Sequence, residues 1–312
     1  MKTSSARCLI AAAVAVTCSF LGVGWAVPSG ALASTGYRLL GGDGGVFAFG
    51  NASFHGSAAS NPAQCPTNPL GRLLPGGSCQ AMASTPDGGG YWILNRALGN
   101  VYHFGDAGSF GQPADMFKNV SPEFVPDFLA IVSTPKGDGY WVLSELPSGA
   151  GRVLHFGTAG FFGDTQTIVS HTHQPFNGSP VALAATPNGK GYWEVHSDGG
   201  VFAFGDATFL GSMGTQHLNK PIVGIATTSD GKGYWLVASD GGVFAFGDVR
   251  FEGSLGGIHL AAPVIGIAAN RAGSGYWLAA SDGGVFALGG APFLGSNGAT
   301  HLNKPVFAIA AS

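Results

Sequence analysis

Apolar residues along this chain come in short runs separated by Gly- and Asp-containing turns, and the same succession of runs keeps returning. In one copy the runs cover residues 221–227, 234–238, 243–246 and 251–255, each short enough and rich enough in aromatic and β-branched residues to predict a strand. The first three are apolar almost throughout, with no alternation of apolar and polar positions. That predicts strands covered on both faces, because a sheet with one face in water alternates.

The repeat unit reads Gly-Tyr-Trp, an apolar run, Ser-Asp-Gly-Gly-Val-Phe-Ala-Phe-Gly-Asp, then Phe-x-Gly-Ser. It occupies residues 191–212, 233–254 and 275–296, the last with Leu288 and Gly290 as variants, so that Tyr192, Tyr234 and Tyr276 recur every 42 residues. Diverged copies begin at Tyr37, Tyr91 and Tyr140, which makes six. A period of this length with four strands per unit predicts an all-β fold, a six-bladed β-propeller of four-stranded blades. The ends fit together. The first copy enters at Gly36 without a preceding strand, whereas residues 304–310 form a first strand with no Gly-Tyr-Trp after it. The C-terminal strand is therefore expected to complete the first blade and remove an exposed edge.

The run Gly-Tyr-Trp-Leu-Val-Ala-Ser-Asp-Gly-Gly-Val-Phe-Ala-Phe-Gly-Asp resembles the repeat of exported actinobacterial β-propeller proteins, in which such arrays stand alone or beside cell-wall hydrolase domains. The resemblance extends from Gly36 to Ser312 and implies an exported, envelope-associated protein. It carries no ligand or catalytic residue across. The step Asp-Gly-x-Val-x-x-x-Gly is also similar to regulator-of-chromosome-condensation repeats, which implies fold alone.

The N-terminus has the organisation of a secretory signal. Lys2 and Arg7 precede an uncharged Ala- and Val-rich run, and Ala31-Leu32-Ala33 offers small residues at alternate positions for cleavage. Residues 1–33 are thus expected to be a signal peptide and 34–312 the secreted, extracellular or envelope-associated propeller, with no stable membrane insertion after cleavage. A retained anchor is the alternative, since the run approaches the roughly 20 residues a bilayer needs, although Gly22, Gly24 and Pro28 interrupt it. Of the four cysteines, Cys65 and Cys79 lie in one Pro- and Gly-rich insertion, residues 58–80. In an oxidising compartment they are expected to form a disulfide.

Charge narrows the partners. The 312 residues hold 14 Lys and Arg against 17 Asp and Glu, and loss of Lys2 and Arg7 deepens the acidic excess. Nucleic-acid binding is excluded, because counterion displacement from phosphates needs a clustered basic surface. Gly-x-Ser-x-Gly, His-Glu-x-x-His and phosphate-loop signatures are missing. The reading is therefore non-catalytic, with no cofactor and no metal site expected. A hydrolase or lyase with an axial site assembled from several blades is one alternative, and a protein-protein interaction scaffold is another.

Two sets of repeated polar residues are candidates for binding. Asp198, Asp240 and Asp282, with Asp43, precede Gly-Gly between the second and third strands, where hairpin-turn chemistry accounts for them. His217, His259 and His301 recur at the same period between blades. In an up-down blade both positions reach one face, so that His217 and Asp240 would share a rim able to take a repeating glycan, a cell-wall polymer or a protein. Trp92, Trp141, Trp193, Trp235 and Trp277 follow the repeat tyrosines, where wedging between blades explains them better than sugar stacking. The third copy is interrupted by residues 144–151, and insertions at 112–127 and 165–179, the latter with His171 and His173, make that half irregular. Long loops on a rigid frame are where specificity usually resides.

Overall fold

A computed structural model describes residues 36–68, 74 and 76–312; the expected signal peptide lies outside them. The first copy forms β1 (Gly36–Gly41) and β2 (Val46–Gly50), the second β3 (Cys79–Ser84), β4 (Gly90–Asn95) and β5 (Val101–Gly105), and the third β6 (Asp127–Ser133), β7 (Gly139–Glu145) and β8 (Gly151–Gly157). Then follow β9 (Pro180–Ala185), β10 (Gly191–His196) and β11 (Val201–Gly205), β12 (Ile222–Thr227), β13 (Gly233–Ala238) and β14 (Val243–Gly247), β15 (Val264–Ala269), β16 (Gly275–Ala280) and β17 (Val285–Gly289), and the C-terminal β18 (Val306–Ala311). Among the described residues these make six three-stranded antiparallel sheets. The C-terminal strand behaves as its sequence requires: β18 pairs with β1, Leu39 opposite Ile309. No helix of the described residues is long and apolar enough to cross a membrane.

The middle strand of every sheet is buried along its length, save Glu145 at the end of β7; the first and third strands are only partly buried, against the expectation from their apolar runs. The first strands neighbour one another in cyclic order, β3 with β6, β6 with β9, β9 with β12, β12 with β15, β15 with β18 and β18 with β3. Between sheets sits a relay of aromatic residues. Trp92 packs on Tyr140, Trp141 on Tyr192, Trp193 on Tyr234 and Trp235 on Tyr276, with ring centroids 5.3–5.8 Å apart, and Trp277 returns to Tyr37 at 5.1 Å. Each such pair contributes about 0.5–1.5 kcal/mol beyond the area it buries.

The first copy has Arg38 where the others have Trp. Its guanidinium lies 4.9 Å from the centre of the Tyr91 ring, and its Nε donates to Ser53 O at 2.9 Å. Trp235 makes the equivalent bond to Arg250 O at 2.8 Å. Arg38 thus reproduces both the indole's stacking and its hydrogen bond, and its remaining nitrogens donate to Ser84 Oγ and Gly88 O. Burial pushes the guanidinium pKa down against the nearby Asp106 carboxylate and Tyr91.

The fourth run of each copy differs from expectation. Residues 251–255 and their equivalents join no strand ladder. Gly211 explains the break, with φ +140 and the Phe246 ring of the next copy so near that a Cβ would stand 2.4 Å from it. Instead of a ladder, the segment is held by tyrosine hydroxyls: Tyr234 donates to Gly211 O and Tyr276 to Gly253 O, both at 2.6 Å. Ser254 and Ser296 Oγ accept the N–H groups of Val243 and Val285.

The insertion after the first copy carries the expected disulfide, Cys65–Cys79, with Cα atoms 5.2 Å apart. It folds onto the β1–β2 turn, where Gly44 leaves the room; a Cβ there would lie 2.6 Å from Cys65 Sγ. The other insertions contain helices that the strand pattern did not announce, α1 (Pro113–Phe117) and α2 (Thr165–Thr172).

Candidate functional site

The repeat aspartates perform the turn chemistry expected of them. Asp198, Asp240 and Asp282 each accept the backbone N–H of the glycine two residues on, at 2.9 Å. The half-buried carboxylates stand beside exposed imidazoles. Asp198 and His217 line one depression of about 380 Å³, and Asp240 and His259 line the next, of about 360 Å³. The pairing is therefore within a copy, where the sequence suggested His217 with Asp240. Lys220 borders both depressions and makes them neighbours on one rim. His301 is exposed, and no described depression joins it to Asp282. No group of three metal-ligating side chains occurs among the described residues.

The ends of β3, β6, β9, β12, β15 and β18 surround a cavity of about 510 Å³. Its wall is Ile, Leu, Val, Ala, Ser, Thr and Pro with Asn270, and among the lining residues Arg271 carries the only charge. Its guanidinium is turned to Pro86 O. The carboxylates near this mouth are engaged by local donors: the Thr158 and Thr134 hydroxyls hold Asp138 below the usual carboxylate range, and Thr228 with the Lys232 N–H does the same for Asp230. The lining holds no carboxylate or imidazole placed to exchange a proton with a ligand.

The third copy departs most. Asp164 caps α2 by accepting from the Thr167 N–H, and its other oxygen accepts from Val153 N–H, which ties the helix to β8. Thr165 then enters a buried network. Its N–H and hydroxyl donate to Glu194, and Glu194 Oε1 lies 3.0 Å from His196 Nε2. His196 Nδ1 lies 2.8 Å from Gly178 O. Both charged side chains are fully buried. Glu194 and His196 replace the Leu and Ala of the last two copies, Leu236 with Ala238 and Leu278 with Ala280, so the signal for this network was a departure from the repeat rather than a motif. Glu123, Asp127 and Glu145, which sequence left unpaired, line one depression with Arg152; Asp127 is bound by Arg96 at 2.9 Å.

No known family model matches the chain, and no curated protein matches it either.

Proposed function

We propose that the chain is an exported, non-catalytic binding protein: a six-bladed β-propeller whose unpaired fourth segments form the outer edge of each blade and whose C-terminal strand closes the ring. The cyclic neighbour order of the first strands and the return of the Trp series to Tyr37 support this architecture. Residues 1–33 act as the cleaved signal, consistent with a disulfide that needs an oxidising compartment.

The ligand in this reading is a repeating envelope glycan or cell-wall polymer taken on the His/Asp rim. The observation that carries it is the recurrence of one depression, imidazole beside half-buried carboxylate, in successive copies with Lys220 between them. Identical shallow sites gain through avidity when the ligand repeats too. The lining of the axial cavity gives the hydrolase alternative no support. The second reading is a protein scaffold, favoured by Phe54, Phe161, Phe209, Phe251 and Phe293, all about half exposed or more at the same repeat position.

The test is binding of residues 34–312 to a panel of glycans and purified cell-wall polymers, with and without chelator. The rim reading expects saturable binding that weakens when His217, His259 and His301 are replaced together by Ala in a folded protein. Absence of binding to every member would turn the search to a protein partner.

A further inference from the structure

The largest departures from the repeat converge on one place away from the rim. In the third copy Arg152 stands where Gly45, Gly200, Gly242 and Gly284 stand in four other copies, and His155 where the same four have Ala48, Ala203, Ala245 and Ala287; the second copy has Asn100 and His103 at these positions. The fold needs neither residue, since the sheets of those four copies form without them. Both line a cavity of about 640 Å³ between β8, the loop after it and α2, together with Phe161, Gln166, Ser170 and His171.

The walls are held in place before any ligand arrives. The exposed Phe161 ring stacks on His155 with centroids 6.2 Å apart. Because a carbonyl only accepts, the bonds from His155 Nδ1 to Ala159 O at 3.0 Å and from His171 Nδ1 to Thr167 O at 2.7 Å fix the proton on Nδ1. In its neutral tautomer each ring then has Nε2 as the acceptor. Gln166 accepts from the Ser148 hydroxyl of the 144–151 insertion and donates to Ser170, locking insertion and helix together. Arg152 is exposed and belongs to no ion pair among the described residues, although it also borders the neighbouring depression with Glu123, Asp127 and Glu145. Both oxygens of Asp164, the carboxylate lining this cavity, are occupied by β8 and α2.

We propose that this cavity binds the carboxylated sugar unit of an acidic saccharide. A single guanidinium with no lysine beside it suits a monoanionic carboxylate, which it engages with two parallel N–H donors. The Phe161 face takes the apolar face of the pyranose ring, and the imidazole acceptors with the Gln166 and Ser170 groups take its hydroxyls. The site is single and separate from the rim, so either fails without the other.

Calorimetric titration of the full chain with trimers of galacturonate and of glucuronate, and with the corresponding neutral trimers, tests it. The expected result is saturable binding of an acidic trimer, no binding of the neutral ones, and loss of at least about tenfold in affinity in Arg152→Gln. Phe161→Ser, which installs the residue the second copy carries as Ser109, is expected to lose a similar factor while keeping the fold. Replacement of His217, His259 and His301 by Ala leaves this binding unchanged. The proposal is overturned if neither acidic trimer binds, if neutral trimers bind equally, if Arg152→Gln and Phe161→Ser bind as the unaltered chain does, or if binding is lost with the rim histidines.

Discussion

The buried Glu194–His196 pair offers the sharpest test of the packing. Gly178 O accepts from Nδ1, so that nitrogen carries a proton, and one further proton lies between Nε2 and Glu194 Oε1, 3.0 Å apart. Both side chains are fully buried. Replacing His196 with Ala strands a carboxylate that keeps only the Thr165 donors, for an expected loss of about 3–5 kcal/mol. Replacing Glu194 with Leu leaves the Thr165 N–H unpaired and His196 Nε2 with only the long contact to Thr165 Oγ1 at 3.4 Å, worth about 2–6 kcal/mol at about 1–3 for each group weakened. The double change recreates the Leu-and-Ala arrangement of Leu236 and Ala238, keeping the unpaired Thr165 N–H and a gap beside Phe176, whose ring lies 5.1 Å from His196. Its cost should fall at least about 2 kcal/mol below the sum of the singles, the scale of coupling between contacting residues. Urea unfolding followed by Trp fluorescence measures all three. Singles that add to the double within about 0.5 kcal/mol would refute the account of a mutually dependent pair.

Reduction of Cys65–Cys79, or its replacement by two serines, should lower stability by about 3 kcal/mol, given the cysteines' separation of 14 in sequence; unfolding with and without reductant reads this. Arg38→Trp should be tolerated, because indole Nε1 can take over the bond to Ser53 O, whereas Arg38→Ala should cost at least about 3 kcal/mol through the space and carbonyls it leaves. The tyrosine hydroxyls should resist alkali: burial raises Tyr140 and Tyr276 to about 12 and raises the other repeat tyrosines too. A folded-state pKa above the unfolded 10 means that the stability these hydroxyls bring is complete below pH 10 and is lost as pH climbs towards 12. Absorbance at the tyrosinate band should stay low at pH 10 and rise together with loss of the fold.

Much of this architecture is written in single residues. The unalternating run at 233–238 announced a strand covered on both faces, whereas 222–227, equally apolar, is buried only at alternate residues because its other face borders the central cavity; the orphan strand after Lys304 announced the partner of β1. The fourth run misled because Phe-x-Gly-Ser has strand composition, while what holds it is the hydroxyl of a tyrosine more than 20 residues away, a bond that no local pattern encodes. Arg38 hides in the same manner, since only the three-dimensional position shows a guanidinium acting as an indole. In the rim, Asp240 and His259 were legible by period, but which His meets which Asp depended on how the link folds back over its own sheet. Arg152 was legible only as an exception to Gly, His155 as a departure from Ala that the second copy shares in His103, and α2 brought His171 to them from an insertion without periodicity.

Affinity for a repeating polymer tests the rim most directly, compared with affinity for a short oligomer of the same unit, in chains with none, one, two or all three of His217, His259 and His301 changed to Ala. Avidity from repeated sites predicts much tighter binding of polymer than oligomer and a stepwise decline with each histidine removed. Equal affinity for polymer and oligomer, or indifference to all three changes, would contradict it.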